Sequence, residues 1–353
     1  MPILGVDGPI EVTDVSIAPF ECLSFDWSSQ AAPSASLDRL TLKNRAAVVA
    51  NPFSFHEALT IPIDEAVSEV DNSSFDIVCS FSAPSKVKEI QKRLKTGKKL
   101  VAAAELTSEK LKTSVTEQVE WLKCAIRIGL EGSYCGILGV CKGPGIDAYA
   151  AAQAATGAPL VLLVPDDQVL SSIDSLKACG ATLAKVAFLN IRDELILQRL
   201  MKEECRIGYT CPTFDIRTHA TPFNAVSPVE LSALSSLIPK EKLLLSPGLC
   251  MRHHFSNFGG LGLNRPEMRT DAIDFFSFPW EPPRVEVKIE KQLWSCDVCG
   301  TSGDESVRNY TKMGFTYCSM TCLSTHRKAG FKYNVFSYNS KVVMLAMMQL
   351  SER

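Results

Sequence analysis

The sequence predicts an α/β protein: a sheet of eight parallel strands with intervening helices, followed by a small cysteine-rich module. Three observations carry this. Short apolar runs alternate with longer amphipathic stretches from about residue 75 to 250. Several of those runs are apolar at nearly every position, as strands covered on both faces are. Four of the 13 cysteines crowd between Cys296 and Cys322.

The first strand is supplied by the early run Val15–Phe25. Seven more follow: Phe75–Ser82, Leu100–Leu106, Ala125–Leu130, Pro159–Val164, Lys185–Asn190, Cys205–Cys211 and Leu243–Cys250. Helical stretches separate them at Ser85–Thr96, Ser114–Cys124, Gly145–Thr156, Asp167–Cys179, Asp193–Glu204 and Ser227–Leu237. Gly97, Gly157 and Gly180 stand where helix C-caps are expected. Strand–helix alternation of this kind fits either an open doubly wound sheet or a closed (β/α)8 barrel. No GxGxxG follows the first strand, which lowers the dinucleotide-binding version, and Lys142-Gly143-Pro144-Gly145 is too short for a P-loop.

With 353 residues, 46% of them apolar and 22% charged, the chain can bury a sizeable core. A net charge of −2 argues against a whole-chain nucleic-acid binder. The segment 284–353 is the exception, with ten Lys/Arg against six Asp/Glu. Met1-Pro2-Ile3-Leu4-Gly5 has no basic region leading an apolar one, so no secretory signal is expected. No apolar run reaches 18 residues, so no membrane span is expected. Scattered thiols in apolar runs, such as Cys79, with one tight cluster suit a reducing compartment, cytoplasmic or nuclear, rather than a disulfide framework. Phe278-Pro279-Trp280-Glu281-Pro282-Pro283 places a proline-containing linker over 264–293, and the Met-rich run Lys341–Leu350 places an apolar helix within 332–353.

The strongest local motif is Cys296-x2-Cys299-x18-Cys318-x3-Cys322. Two close thiolate pairs separated by a loop can meet tetrahedrally around Zn2+ at about 2.3 Å. Gly300 eases the turn after Cys299, and the second pair falls where a short helix begins, at the positive end of its dipole. His326, one turn beyond Cys322, is the alternative ligand. The cluster resembles treble-clef zinc modules of the TRASH, FCS and MYND/HIT type over residues 294–331. That resemblance implies one structural Zn2+ and contacts with other proteins; Arg327, Lys328 and Lys332 offer only a thin basic patch for nucleic acid.

Lys242 to Gly262, containing Ser246-Pro247-Gly248, Arg252-His253-His254 and Gly259-Gly260, resembles the last-strand signature LLSHDxxxKHxxxxxGGHGY of the phosphotriesterase-related family in the amidohydrolase superfamily. Collinear segments agree. Ile3-Leu4-Gly5 with Phe20-Glu21-Cys22-Leu23 is similar to VLGPV…THEHL, and Asn51-Pro52 with Glu57 to Val70 to the region after it. Ile128 to Gly132 is similar to GVIGEIG, and Ala154 to Pro159 to AxxTGAPVxIHPG. The resemblance covers residues 3–263 and implies a (β/α)8 TIM-type barrel over 1–263.

It also implies a hydrolase with two metals at the C-terminal mouth of the barrel. The metal-ligand positions carry over as Phe20 and Cys22 for the His-x-His, Ser133 for the bridging residue, Leu163 or Val164 and Leu189 or Asn190 for the two later histidines, and Gly248 for the aspartate. Most of these offer no lone pair, so no dinuclear centre and no catalytic residue are expected. The five histidines, His56, His219, His253, His254 and His326, lack the spacing of a histidine-rich metal centre. Cys22, Cys135, Cys211 and Cys250 lie near strand ends, but no Cys–His pair is visible to activate one as a nucleophile. The leading expectation is a pseudoenzyme barrel fused to a zinc-binding interaction module. The alternatives are a divergent hydrolase of the ester, lactone or phosphotriester class and a nucleic-acid-associated adaptor.

Overall fold

The computed structural model describes residues 1–11, 15–23, 41, 43–50, 55, 60–95, 97–211, 226–258, 260–265, 268, 272–281, 294–303, 310–312 and 315–329. The chain divides into two compact units, Met1–Pro283 and Arg284–Arg353.

The first unit opens with an antiparallel hairpin, β1 (Ile3–Gly5) and β2 (Gly8–Ile10). Then come β3 (Ile17–Glu21), α1 (Arg45–Ala50), α2 (Ile63–Asp71), β4 (Ile77–Ser80), α3 (Pro84–Arg93), β5 (Lys99–Ala104), α4 (Val115–Arg127), β6 (Cys135–Cys141), α5 (Ile146–Thr156) and β7 (Leu160–Leu162). The unit continues through α6 (Val169–Ala178), β8 (Val186–Leu189), α7 (Glu194–Leu200), β9 (Arg206–Thr210), α8 (Pro228–Ser235), β10 (Leu243–Ser246) and α9 (Ile273–Phe276). Strands β3 to β10 form one eight-stranded sheet in sequence order, each parallel to its neighbours. The first and last strands come side by side, so the sheet is a nearly closed (β/α)8 barrel.

Strand alternation sorts the side chains into two layers. Ile77, Cys79, Val101, Ala103, Ile137, Val140, Val161, Ala187, Leu189 and Leu244 fill the barrel interior. Val78, Leu100, Ala102, Leu138, Leu160, Val186, Phe188 and Ile207 face outward, where Val87, Ile90, Leu122, Ala125, Ile126, Ala148 and Leu176 of the helices cover them. Helix starts are fixed locally. Ser114 with Glu117 and Ser227 with Glu230 form capping boxes, and Asp193 accepts from the amides of Leu195 and Ile196.

The fourth strand differs from the sequence expectation. Ala125 and Ile126 are the buried face of α4 rather than a strand, and β6 lies at Cys135–Cys141. Gly136 and Gly139 dilute the apolar signal of the true strand. They are there for space: a Cβ on Gly136 would lie 2.1 Å from the Leu4 carbonyl oxygen and 2.6 Å from Val101 Cγ1. Gly136→Ala is therefore expected to cost about 1–3 kcal/mol by pushing the hairpin off the strand. A thermal melt reads this; an unchanged midpoint would mean the hairpin seats elsewhere.

Residues 272–281 pack as part of the barrel unit, past the 263 boundary expected from sequence. Phe275 and Phe276 enter the inner cluster beside Ile3, and Phe278 joins the outer one. Ile3 bridges Ser277, and the Phe278 amide donates to the Pro2 carbonyl at 3.2 Å. Trp280 donates through Nε1 to the Ile126 carbonyl at 3.1 Å and sets its edge against Tyr134. The strap and hairpin together close the N-terminal floor of the barrel. Proline there marks an extended strap, not a free connector.

The second unit holds two short antiparallel pairs, β11 (Trp294–Ser295) with β12 (Ser302–Gly303) and β13 (Tyr310–Lys312) with β14 (Phe315–Tyr317), then α10 (Met320–Lys328). The expected apolar helix of 332–353 lies outside the described residues, as do His56 and His219. Among the described residues no helix is long and apolar enough to cross a membrane.

Candidate functional site

In a barrel of this kind chemistry belongs at the C-terminal ends of the strands. Phe20, on β3, lies inside the barrel, its ring stacked parallel to Phe81 with centroids 6.1 Å apart. It presses on Gly208 of β9, where a Cβ would stand 2.7 Å from Phe20 Cε2. Cys22 is buried, with Sγ 3.8 Å from Ser82 Oγ. Burial pushes its thiol up to about 12, against the opposing Ser82 contact. Leu163, the residue after β7, and Leu189, the last of β8, pack on the same interior. Gly248 adopts a left-handed φ of +64°, and a Cβ there would meet Thr210 Cβ at 2.6 Å. No aspartate fits at that position without moving β9.

Ser133 stands apart from this group. It precedes β6 in a tight turn with Leu130, and the next amide, of Tyr134, donates to the Val6 carbonyl of the floor. Ser133 thus sits at the opposite end of the barrel, because the strand begins after the segment matched to GVIGEIG. The interior-facing residue near the mouth end of this strand is Val140. The carried-over positions at the mouth therefore offer the Cys22 thiol, apolar groups and, at the alternative position Asn190, an amide whose oxygen accepts from the Thr210 amide at 2.9 Å and whose nitrogen donates to Thr210 Oγ1 at 2.9 Å. This donor set does not suit a pair of hydrolytic metal ions, which take nitrogen and oxygen ligands.

A buried carboxylate stands between the carried-over positions. Glu21 is fully buried and accepts from Ser246 Oγ at 2.5 Å and from the amides of Leu249 at 2.6 Å and Gly248 at 3.2 Å. With the Cys22 amide donating to the Leu249 carbonyl at 2.6 Å, it clasps the seam between the first and last strands. Desolvation pushes its carboxyl up to about 7, partly offset by these three hydrogen bonds and by Arg265.

A Cys–His pair is also present. Cys250 Sγ lies 3.5 Å from His254 Nδ1, and the Cys250 amide approaches the same nitrogen at 3.3 Å. Both residues are buried, and burial, reinforced by Cys22 and Glu21, holds the thiol well above its ordinary range. Such a thiol stays protonated and is a poor nucleophile.

The signature loop after β10 is held by α2. Arg252 pairs with both oxygens of Glu65 and lies 4.5 Å from the Phe258 ring centroid. Glu69 accepts from the Ser256 amide, the Ser256 hydroxyl at 2.7 Å and the Leu263 amide at 2.7 Å. Gly262 leaves room for that carboxylate, since a Cβ there would fall 2.0 Å from Glu69 Oε1. The most family-like stretch of the sequence thus serves loop anchoring.

In the second unit the four cysteines converge. The Sγ atoms of Cys296, Cys299, Cys318 and Cys322 all lie within 4.8 Å of one another, and no other such group of His, Cys, Asp or Glu occurs among the described residues. Three of the sulfur pairs are 3.4, 3.6 and 3.7 Å apart. A tetrahedron with bonds of about 2.3 Å puts sulfurs about 3.8 Å apart, so the set fits Zn2+. The Ser319 side chain caps α10 by accepting from the Cys322 amide at 3.2 Å, which fixes the second pair at the helix start. Thr301, through its hydroxyl and amide, holds the Cys299 thiol down to about 6. His326 points elsewhere: its Nδ1 is 3.0 Å from the Tyr317 hydroxyl and its ring packs edge-on to Phe315. It belongs to the small core under the knuckle.

Barrel and cysteine site together define a phosphotriesterase-like fold joined to a treble-clef zinc-binding domain. Residues 291–334 match the family model of the Vms1-associating treble clef domain. The barrel is similar to a resiniferatoxin-binding protein from Rhodobacter sphaeroides, at 18% identity and TM-score 0.63, covering 74% of this chain and 85% of that one. It is similar to a lactonase from Listeria monocytogenes at 15% identity and TM-score 0.55, covering 74% and 87%. It is also similar to the phosphotriesterase homology protein of Escherichia coli at 16% and 0.53, covering 70% and 87%. At these identities the likeness is one of fold. No curated protein sequence matches the chain.

Proposed function

We propose that the barrel is a pseudoenzyme that has given up two-metal hydrolysis, and that the chain works as a zinc-dependent protein-interaction scaffold in the cytoplasm or nucleus. The observation that carries this is Phe20. At the first metal-ligand position an aromatic ring lies flat on Phe81 and fills the space over Gly208. Leu163, Leu189, Val140 and Gly248 add no donor. Lowering the pKa of water to about 7 needs a cation in fixed geometry, and converging ionisable groups without one would be costly to bury. The packed interior and the metal-free hydrogen bonds of Glu21 across the strand seam hold the barrel together without a cation. The treble-clef match supports contacts with proteins as the working mode.

The expected metal content is one zinc per chain, all of it lost when Cys296, Cys299, Cys318 and Cys322 are replaced together. No chelator-sensitive turnover of lactone, ester or phosphotriester substrates is expected. Two further metal equivalents persisting in the four-cysteine variant, with hydrolysis that a chelator abolishes, would restore the hydrolase. One observation favours a divergent hydrolase instead, the Cys250–His254 contact at 3.5 Å. Rapid alkylation of Cys250 near neutral pH in the folded protein, with esterase activity lost in Cys250→Ser, would support that assignment.

A further inference from the structure

The loops after β7 and β8 line an open cleft of about 380 Å³ at the barrel mouth. Leu163, Val164 and Leu189 form its apolar lining, and Asp166 and Arg192 stand at its edge. The volume is that of an ordinary ligand pocket. Its surroundings are those of an interface. Leu195, at the second position of α7, is 70% exposed, and Val229, at the second position of α8, is 69% exposed. Leu195 follows the lining residue Arg192 by three positions, and Val229 precedes Glu230, the partner of Arg192.

That frame is cross-linked. Arg192 Nε donates to Glu230 Oε1 at 3.1 Å, tying the start of α8 to the loop after β8. Asp166 accepts from the amides of Arg192 at 3.1 Å and Asp193 at 2.7 Å, tying that loop to the one after β7. The cavity edge is therefore preformed, which lowers the ordering cost of binding. The charge is one-sided. Residues 165–168, 190–195 and 226–230 hold Asp166, Asp167, Asp193, Glu194 and Glu230 against one cation, Arg192. Asp166 and Asp193 accept from backbone amides and Glu230 pairs with Arg192, which leaves Asp167 and Glu194 to face solvent. Asp167 and Glu194 are exposed.

We propose that this acidic, apolar-floored rim docks a basic peptide segment of a partner protein. An apolar anchor side chain enters the cavity beside Leu163 and Leu189. Neighbouring Lys or Arg residues meet Asp167 and Glu194, and the peptide's flanks cover Leu195 and Val229. Each feature has a separate role. The pocket selects a bulky apolar group, the exposed pair adds area outside the pocket that a small metabolite would not cover, and the acids choose the sign of the partner and speed its approach. The inference rests on the scaffold reading, but it concerns the loop rim alone. Metal content and turnover decide that reading, whereas peptide binding decides this one.

The test uses the full chain, zinc-loaded, against a random dodecapeptide display library, followed by fluorescence anisotropy with an enriched, fluorescein-labelled peptide. Enriched peptides are expected to carry Leu, Phe or Met flanked by Lys or Arg. Replacing the anchor by Ser, or the basic residues by Gln, should weaken binding at least tenfold. The double variants Leu195→Ser/Val229→Ser and Asp167→Lys/Glu194→Lys should each weaken it at least fivefold with an unchanged melting temperature. The charge-reversed variant should also lose most of the salt dependence. No enrichment, or equal binding by both double variants, overturns the proposal. So does equal affinity for the peptide without basic residues, which would make the cavity an apolar-ligand pocket. Dimerisation of the chain that Leu195→Ser/Val229→Ser abolishes, without peptide binding, assigns the patch to a second copy and equally overturns it.

Discussion

Replacing Cys299 by serine is expected to empty the zinc site and unfold the treble clef while the barrel melts as before. Among the described residues the module has two short strand pairs and one nine-residue helix, and the largest fully buried side chain is Tyr317. A core that small cannot offset its own ordering entropy. Zinc supplies the difference, with apparent binding energies of roughly 10–16 kcal/mol in comparable peptides near neutral pH. Loss of one thiolate from four also leaves Cys318, whose sulfur lies 3.4 Å from that of Cys299, without its neighbour. Protease should then cut between residues 291 and 334 within minutes, and metal analysis should find close to no zinc. Full zinc content with an intact module in Cys299→Ser would mean that another group, His326 first among them, takes the vacant position.

The second large effect is expected at Glu21. Glu21→Ala removes the acceptor of the buried Leu249 amide, whereas Ser246 Oγ keeps the Phe20 carbonyl at 3.3 Å and the Gly248 amide keeps Ser246 Oγ at 3.1 Å. A buried donor left unpaired costs about 1–3 kcal/mol, and the lost side chain adds a cavity. A total of roughly 2–4 kcal/mol is expected, focused on the seam between β3 and β10. Glu21→Gln should be milder and more informative. The folded carboxyl titrates near 7 and the unfolded one near 4.5, so the folded state holds the extra proton between those values. Its stabilising contribution is full below about pH 4.5 and is lost as pH rises to about 7, a fall of roughly 3 kcal/mol, with no further loss above. Glu21→Gln has no proton to lose and should flatten that stretch of the stability–pH curve. An unchanged slope would place the titrating group elsewhere.

Much of the architecture was legible in the sequence because burial on both faces leaves an apolar run that survives in any context. Phe75–Ser82 and Cys205–Cys211 announced β4 and β9 for that reason. The four-cysteine spacing was equally plain, since thiolate geometry around zinc tolerates few spacings. What escaped has physical causes. Gly136 and Gly139 leave β6 with a weaker apolar run than the buried helical face at Ala125-Ile126, which has the look of a strand. Glu21 gave no local sign of its role, because Ser246 is 225 residues away. The Cys250–His254 contact lies in a turn between residues four apart, where no helical or strand periodicity points. Residues 278–283 hold three prolines and read as a linker, but Trp280 finds its acceptor on α4, 154 residues earlier.

The joined hairpin and strap also govern when the barrel can form. The Pro2–Phe278 hydrogen bond and the Ile3–Ser277 bridge enclose almost the whole first unit in a single loop. Closing a loop that long costs little more in entropy than closing one half its length, about 0.6 kcal/mol per doubling. It does raise the average sequence separation of contacts, which slows folding. During synthesis the hairpin is made before its cover. Ile3 therefore lacks its partners Phe275 and Phe276 until they have left the ribosome, and the floor of the barrel closes only then.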